Sequence, residues 1–185
     1  MKLALPFDRT YWIIPGKFLA GPYPGSHDPD DAGKRLKALI QCGIRRVINL
    51  MDEQEIWKPD PPFLPYAESL NRLAEKMGIR VVSTQIPIPD DNHPAPTVMN
   101  AVLDQIDRSL SENHPVYVHC WGGRGRTGMV AGCHLVRRGL SGEESLEKLD
   151  ELRRLASNGH LPSPKTDAQR DFVRSWKSWD RRALS

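Results

Sequence analysis

Apolar residues recur along this chain in two rhythms: short runs of β-branched and aromatic residues, and longer stretches with three- and four-residue spacing. Tyr11 to Ile14 and Phe18 to Ala20 flank Pro15-Gly16, which predicts a short hairpin. Asp28 to Ile40 predicts a helix, with acidic residues in its first turn and Leu36, Leu39 and Ile40 on one face. Arg46 to Leu50 has the length and composition of a buried strand. Met51 to Pro65, broken by Pro59, Pro61, Pro62 and Pro65, predicts a long irregular loop of the kind that borders sites. Tyr66 to Met77 reads as a helix stopped by Gly78, and Ile79 to Ile86, rich in Val and Ile, as a strand. Pro96 to Leu110 carries Met99, Val102, Leu103, Ile106 and Leu110 at helical spacing. Pro115 to His119 predicts a strand, and Arg126 to Arg138 a helix that runs out near Gly139. Two more helices are expected after Ser141-Gly142-Glu143-Glu144 and Thr166-Asp167-Ala168-Gln169, which both have the capping-box pattern. Strands alternating with helices predict an α/β fold: a mostly parallel central sheet flanked by helices on both faces. There is no internal repeat, heptad run or low-complexity tract.

Composition narrows the class. With 39% hydrophobic and 26% charged residues the chain can build a core, and its 185 residues suit one domain, expected to span 1–185. No apolar run approaches the ~20 residues of a membrane span. After Lys2, the apolar run Leu3 to Phe7 ends at Asp8 and Arg9, short of the ~7–15 residues of a signal-peptide core, so export is not expected. A net charge of +3 tolerates anionic substrates and does not indicate a nucleic-acid partner. Cys42, Cys120 and Cys133 cannot make a disulfide framework, which points to a reducing cytoplasm and asks whether one thiol is reactive.

The segment that carries chemistry is His119-Cys120-Trp121-Gly122-Gly123-Arg124-Gly125-Arg126-Thr127-Gly128, between a predicted strand and a predicted helix. Gly123, Gly125 and Gly128 match G-x-G-x-x-G, but no strand with an acidic end follows about 20 residues on, where a ribose contact belongs; Lys148 stands there, inside a helix. A nucleotide phosphate loop would need Gly at Cys120 and Lys at Arg126. Neither motif explains a cysteine followed by five residues and an arginine. Such a loop can curl so that the N–H groups of Trp121, Gly122, Gly123, Arg124, Gly125 and Arg126 converge on one point, at the positive end of the following helix. A phosphate seated there would also meet the Arg126 guanidinium as a two-pronged donor. A thiol in that field ionises readily, and Cys120 would attack phosphorus in line.

This segment resembles the cysteine-dependent protein tyrosine and dual-specificity phosphatase superfamily, whose signature H-C-x5-R-[S/T] is met by His119, Cys120, Arg126 and Thr127. The resemblance implies a dual-specificity-phosphatase-like fold and a phosphocysteine intermediate on Cys120. It implies that Arg126 holds the phosphoryl oxygens and that the Thr127 hydroxyl helps the thiolate leave. His119 would hydrogen-bond around the loop without acting as a base. The family's acid loop, P-D-x-x-x-P, is matched by Pro89-Asp90-Asp91-Asn92-His93-Pro94, with Asp90 as general acid and Asp91 the fallback. The tyrosine-specific branch has Trp before that Pro-Asp, where this chain has Ile88. The family's I-Q-T-x-x-Q loop is seen as Pro164-Lys165-Thr166-Asp167-Ala168-Gln169, in which Gln169 would position the hydrolytic water and Lys165 replaces the first Gln. No cofactor or metal is implied. The expected partner is a phosphorylated protein or small phosphomonoester, and the expected state a monomer. The same mechanism on a phosphoinositide or inositol polyphosphate is the alternative, motivated by Arg124 with Lys165 in addition. A non-catalytic phospho-binding module would need only some of these groups.

Bland readings compete at single positions. Cys120 could be a buried structural thiol, Arg126 a solvated helix-start residue, Asp90 and Asp91 turn residues beside proline. Gln169 is also explained by its capping box, and Trp121 and Arg124 by packing or solvation. Cys133 and His134 with His119 and Cys120 lack zinc-ligand spacing. Cys42 and Cys133 are expected in the core, with a role as resolving thiol the minority reading.

Overall fold

The chain opens on two strands, β1 (Tyr11–Ile14) and β2 (Phe18–Gly21), paired antiparallel around the turn at Pro15-Gly16. In this computed structural model residues 4–57, 60 and 62–177 are described; Lys2, Leu3, Pro59 and Pro61, named above, lie outside them. The remaining strands are β3 (Arg46–Asn49), β4 (Val82–Gln85) and β5 (Val116–His119). They assemble in the order β1-β2-β5-β3-β4, and every pair except β1–β2 is parallel. β5 is central: Val116 to His119 pair with Phe18 to Gly21 on one side and Arg46 to Asn49 on the other.

All four residues of β5 are buried. Because successive side chains in a strand point to opposite faces, both faces of the sheet are covered, as a parallel sheet requires. The covering helices are α1 (Pro29–Gln41), α2 (Ala67–Lys76), α3 (Pro96–Ser111), α4 (Arg126–Arg137), α5 (Gly142–Arg153) and α6 (Asp167–Ser175). Leu36, Leu39 and Ile40 of α1 and Met99, Val102, Leu103 and Ile106 of α3 enter the common core, as their spacing predicts. The two capping boxes form reciprocally, Ser141 with Glu144 and Thr166 with Gln169.

Two elements differ from the sequence expectation. The strand expected over Ile79–Ile86 narrows to β4, because at the sheet edge its only partner among the described residues is β3, which offers four paired residues. The loop expected over Met51–Pro65 contains a 3₁₀ turn, Glu53–Trp57, entered through Gln54 N–H and Asp52 Oδ1 at 3.0 Å. No helix among the described residues is long and apolar enough to cross a membrane.

The parallel strands β2, β3, β4 and β5 end on one side of the sheet, and their exits are laced together there. Leu50 N–H donates to His119 O at 2.9 Å, Ile86 N–H to Asn49 O at 2.9 Å, and Ile88 N–H to Leu50 O at 3.0 Å. Crevices at the carboxyl ends of parallel strands are where α/β sheets bind ligands.

Candidate active site

Cys120 leaves the carboxyl end of β5, buried at 3% exposure, and the five residues after it turn the chain into α4. The carbonyls of that turn are drawn outward by donors of the surrounding scaffold. His119 Nδ1 lies 3.3 Å from Cys120 O, Tyr23 N–H donates to Trp121 O at 2.9 Å, Tyr11 Oη to Gly123 O at 3.3 Å, and Ser163 Oγ to Arg124 O at 2.8 Å. In a trans peptide the C=O and the next N–H point in opposite directions. The N–H groups of Trp121, Gly122, Arg124 and Gly125 are therefore turned inward, toward the loop centre. Gly123 makes the curl: its φ is +71°, and a Cβ there would sit 2.5 Å from Gly21 C and 2.6 Å from Pro22 N. The helix N-cap, Gly125, supplies no side-chain acceptor, so the first-turn donors of α4 face the same point.

Arg126, the first residue of α4, is 1% exposed and spans the carboxyl edge of the sheet. Its Nη1 donates to Glu55 Oε1 at 2.6 Å and approaches Leu50 O at 3.4 Å and Ile88 O at 3.3 Å; its Nη2 donates to Glu55 Oε2 at 2.7 Å. That leaves Nε–H and the second hydrogen of Nη2, adjacent donors on one edge of the planar group. Nε forms no hydrogen bond in the structure, and Asp90 Oδ1 stands 3.3 Å from it. Two parallel donors on one edge are the geometry that holds phosphate oxygens bidentately. Burial penalises the Arg126 cation, but the Glu55 hydrogen bonds and the charges of Cys120 and Asp90 more than offset it, so its pKa is raised.

Glu55 was not singled out from sequence. An acidic run after a strand, Asp52 to Glu55, is commonplace on a surface, and only the need of a buried arginine for a counter-charge marks it. Glu55 is 11% exposed on its side chain and also accepts from Asp52 N–H at 2.9 Å. Removing one partner of a buried pair costs about 3–5 kcal/mol when nothing replaces it. Here Asp90 remains beside Arg126, so Glu55→Ala is expected to lose about 2–3 kcal/mol in urea unfolding. Inorganic phosphate should restore part of the loss by occupying the freed guanidinium; an unchanged midpoint would mean that the pair contributes nothing net.

His119 is fully buried, and burial, aided by the Arg126 charge, pushes its pKa down to about 3. It is a neutral imidazole at pH 7. A carbonyl can only accept, so Nδ1 carries the proton toward Cys120 O, and Nε2 accepts from Tyr66 Oη at 2.7 Å. Burial raises the Tyr66 phenol, which keeps it a donor. Thr127 is buried, and its hydroxyl donates a long bond of 3.5 Å to Gly21 O.

The two neighbouring aspartates part company. Asp90 faces Arg126, whereas Asp91 turns to Lys165, 2.7 Å from Nζ to Oδ1. Lys165 is therefore not a free charge at the pocket mouth. Gln169 Oε1 accepts from Lys165 N–H at 3.2 Å and Thr166 N–H at 3.4 Å, while Nε2 donates to Asn92 O at 3.1 Å. Trp121 stacks on Phe63 with centroids 4.7 Å apart, and Tyr23 stacks on Phe63 at 5.7 Å, forming an aromatic wall beside the loop. Arg124 is half-buried and forms no ion pair among the described residues. Cys133 and His134 lie in the core on α4, and Cys42 is half-buried with its thiol 3.9 Å from Ala4 O. Among the described residues no three His, Cys, Asp or Glu side chains cluster as metal ligands would.

Residues 8–173 match the PTP-SAK family model, described as Swiss Army Knife protein, DSP-PTPase phosphatase domain. The chain belongs to this family. It is a cysteine-dependent phosphatase domain of the dual-specificity type. The PTP-SAK domain is 35% identical over 91 residues to phosphatidylinositol 3,4,5-trisphosphate 3-phosphatase and protein-tyrosine-phosphatase PTEN1 of Arabidopsis thaliana, covering 47% of this chain and 21% of that protein. It is 28% identical over 122 residues to cyclin-dependent kinase inhibitor 3 of Sus scrofa, covering 65% of this chain and 54% of that protein. The chain thus spans about a fifth of the first relative's length and about half of the second's. Its fold is similar to a crystal structure of kinase associated phosphatase, with a TM-score of 0.68 and 20% identity over 93% of this chain and 94% of that one.

Proposed function

We propose that residues 1–185 act as one cysteine-phosphatase domain that hydrolyses phosphomonoesters through a phosphocysteine on Cys120, with Asp90 as general acid. The observation that carries this reading is the Nε–Nη2 edge of Arg126, which faces Asp90 with no hydrogen bond at Nε and lies at the mouth of a loop with inward N–H groups. In the first step the Cys120 thiolate attacks phosphorus; the S–P bond forms as the ester P–O bond breaks. The Asp90 carboxyl gives its proton to the departing oxygen. In the second step water attacks phosphorus, the Asp90 carboxylate takes its proton, and the S–P bond breaks to release the thiolate and inorganic phosphate. Thr127, whose hydroxyl makes a long bond to Gly21 O, would turn it to the leaving sulfur. Gln169, with one amide hydrogen uncommitted, would meet the water.

The favoured substrate is phosphotyrosine, with phosphoserine or phosphothreonine in addition, since the Trp121–Phe63 wall suits a ring-bearing leaving group. A multiply phosphorylated inositol is the second reading, favoured by Arg124 in the loop without an ion pair among the described residues. Assaying a phosphotyrosine peptide, a phosphothreonine peptide and an inositol polyphosphate side by side separates the two. Arg124→Leu is expected to lower kcat/KM several-fold on polyanionic substrates and little on a simple aryl phosphate. That follows from the ~0.2–1 kcal/mol of an exposed charge contact, and it should fade as salt rises. Equal losses on both substrates would make Arg124 a support of the loop and remove the argument for inositol phosphates. A thiolate mechanism needs reduced Cys120, and all three cysteines are free thiols, so we place the protein in the cytoplasm.

A further inference from the structure

We propose that Lys165 is a positioning residue for proton transfer: by pairing with Asp91 it pins the Pro89–Pro94 loop to the start of α6 and so holds the neighbouring Asp90 against Arg126. The inference rests on the phosphatase reading above and deepens it.

The pinning is built from separate contacts to successive residues of the loop. Lys165 Nζ lies 2.7 Å from Asp91 Oδ1 and 2.8 Å from Oδ2, and Thr166 Oγ1 donates to Asp91 O at 3.4 Å. Gln169 Nε2 donates to Asn92 O at 3.1 Å. The His93 ring stacks on Phe172, with centroids 4.8 Å apart and planes 19° from parallel. Among the described residues, every hydrogen bond that Asp91 to His93 make outside their own loop goes to Lys165, Thr166 or Gln169.

The backbone explains how a contact at Asp91 governs Asp90. Asp91 has φ +55°, a left-handed conformation that Asp tolerates better than most residues but that its surroundings must hold. The turn it makes sends two adjacent carboxylates to opposite sides, Asp90 inward to Arg126 at 3.3 Å and Asp91 outward to Lys165. Releasing the outer carboxylate frees the turn, and with it the angle at which the inner one meets a leaving group. Lys165 serves this where the family loop has Gln, because only a cation makes the ion pair. The pair is exposed, 44% and 52% on its two side chains, so it biases the loop modestly and is screened by salt.

The Lys165 Cβ lies against Gly125 of the loop, where an added Cβ would stand 3.4 Å from it, while its ammonium pairs with Asp91. Lys165→Met keeps the stem and removes only the charge, so the test separates proton donation from the rest of catalysis. Kinetics on phenyl phosphate, whose leaving group needs a proton, are compared with dinitrophenyl phosphate, whose leaving group does not. Lys165→Met is expected to lower kcat on phenyl phosphate about two- to fivefold with little change in KM, and to lower it clearly less on dinitrophenyl phosphate. Lys165→Arg should keep most of the wild-type rate, since the ion pair survives. Asp91→Asn should reproduce the Lys165→Met deficit, and the double variant should be no worse than either single one, because each removes the same contact. A loss equal on both substrates, additive losses in the double variant, or no loss at all would overturn the proposal while leaving the phosphatase reading intact. Failure of the wild-type protein to hydrolyse either ester would instead overturn that reading, and this one with it.

Discussion

Replacing Cys120 by serine is expected to reduce turnover to background on every phosphomonoester while leaving anion binding largely in place. The two properties separate because they reside in different atoms. In the proposed mechanism nucleophilicity belongs to the sulfur, and a hydroxyl at the same place is a far poorer nucleophile at neutral pH. Anion binding is assigned by the same proposal to the N–H groups of the loop and the Nε–Nη2 edge of Arg126, and neither needs sulfur. The loop conformation is held from outside by Tyr11, Tyr23, His119 and Ser163, so it survives the loss of one atom at its base. Calorimetry with tungstate should therefore show binding within a few-fold of wild type. Mass spectrometry of wild-type protein quenched in acid during turnover should find phosphate on Cys120. Appreciable hydrolysis by a clean Cys120→Ser preparation would overturn the thiolate mechanism.

Asp90→Asn is expected to cut kcat by roughly 10²–10⁴ on phenyl or tyrosyl phosphate, the usual range for removing a positioned proton donor. On dinitrophenyl phosphate the loss should shrink, because that oxygen leaves without protonation. The geometry behind the expectation is the placement of the Asp90 carboxylate 3.3 Å from Arg126 Nε, the edge proposed to receive the phosphoryl group. Asparagine preserves the size of the side chain and can still meet Nε through its carbonyl oxygen, so a fall in rate reports the proton and not the fold. Asp91→Asn should lose only the few-fold that follows from the Lys165 contact. If Asp91→Asn instead showed the large, leaving-group-dependent loss and Asp90→Asn did not, the roles of the neighbours would be exchanged.

How much of this was legible beforehand can be read residue by residue. The helices over Pro29–Gln41, Pro96–Ser111 and Arg126–Arg137 agree with their sequence expectation within a residue or so at each end. Their signals are local: an apolar period in each, a proline at the start of the first two, and a Gly soon after the end of the first and third. The β1–β2 hairpin and both capping boxes were legible for the same reason, since each is a bargain between residues a few positions apart. The turn from Cys120 to Arg126 belongs with them as a shape: Cys120, its glycines and Arg126 are close in sequence and join β5 to α4. Even so, β4 is shorter than its run of Val and Ile suggests, because strand length is settled by the partner, not by propensity.

The amino-acid sequence by itself thus determined the alternation of strands and helices, the Gly-rich turn from Cys120 to Arg126 between β5 and α4, and a short list of candidate acids. Only the tertiary structure decided which groups meet across the sheet edge. Glu55 reaches Arg126 over a separation of 71 residues, Tyr66 reaches His119 over 53, and Lys165 reaches Asp91 over 74. Asp90 and Asp91 are adjacent and chemically alike, yet across one left-handed backbone angle at Asp91 they meet different partners, Arg126 and Lys165. Local pattern encodes dihedral preference and which face is apolar. Pairing between distant polar groups depends on where the parallel strands end, and that position is set by the packing of the whole sheet.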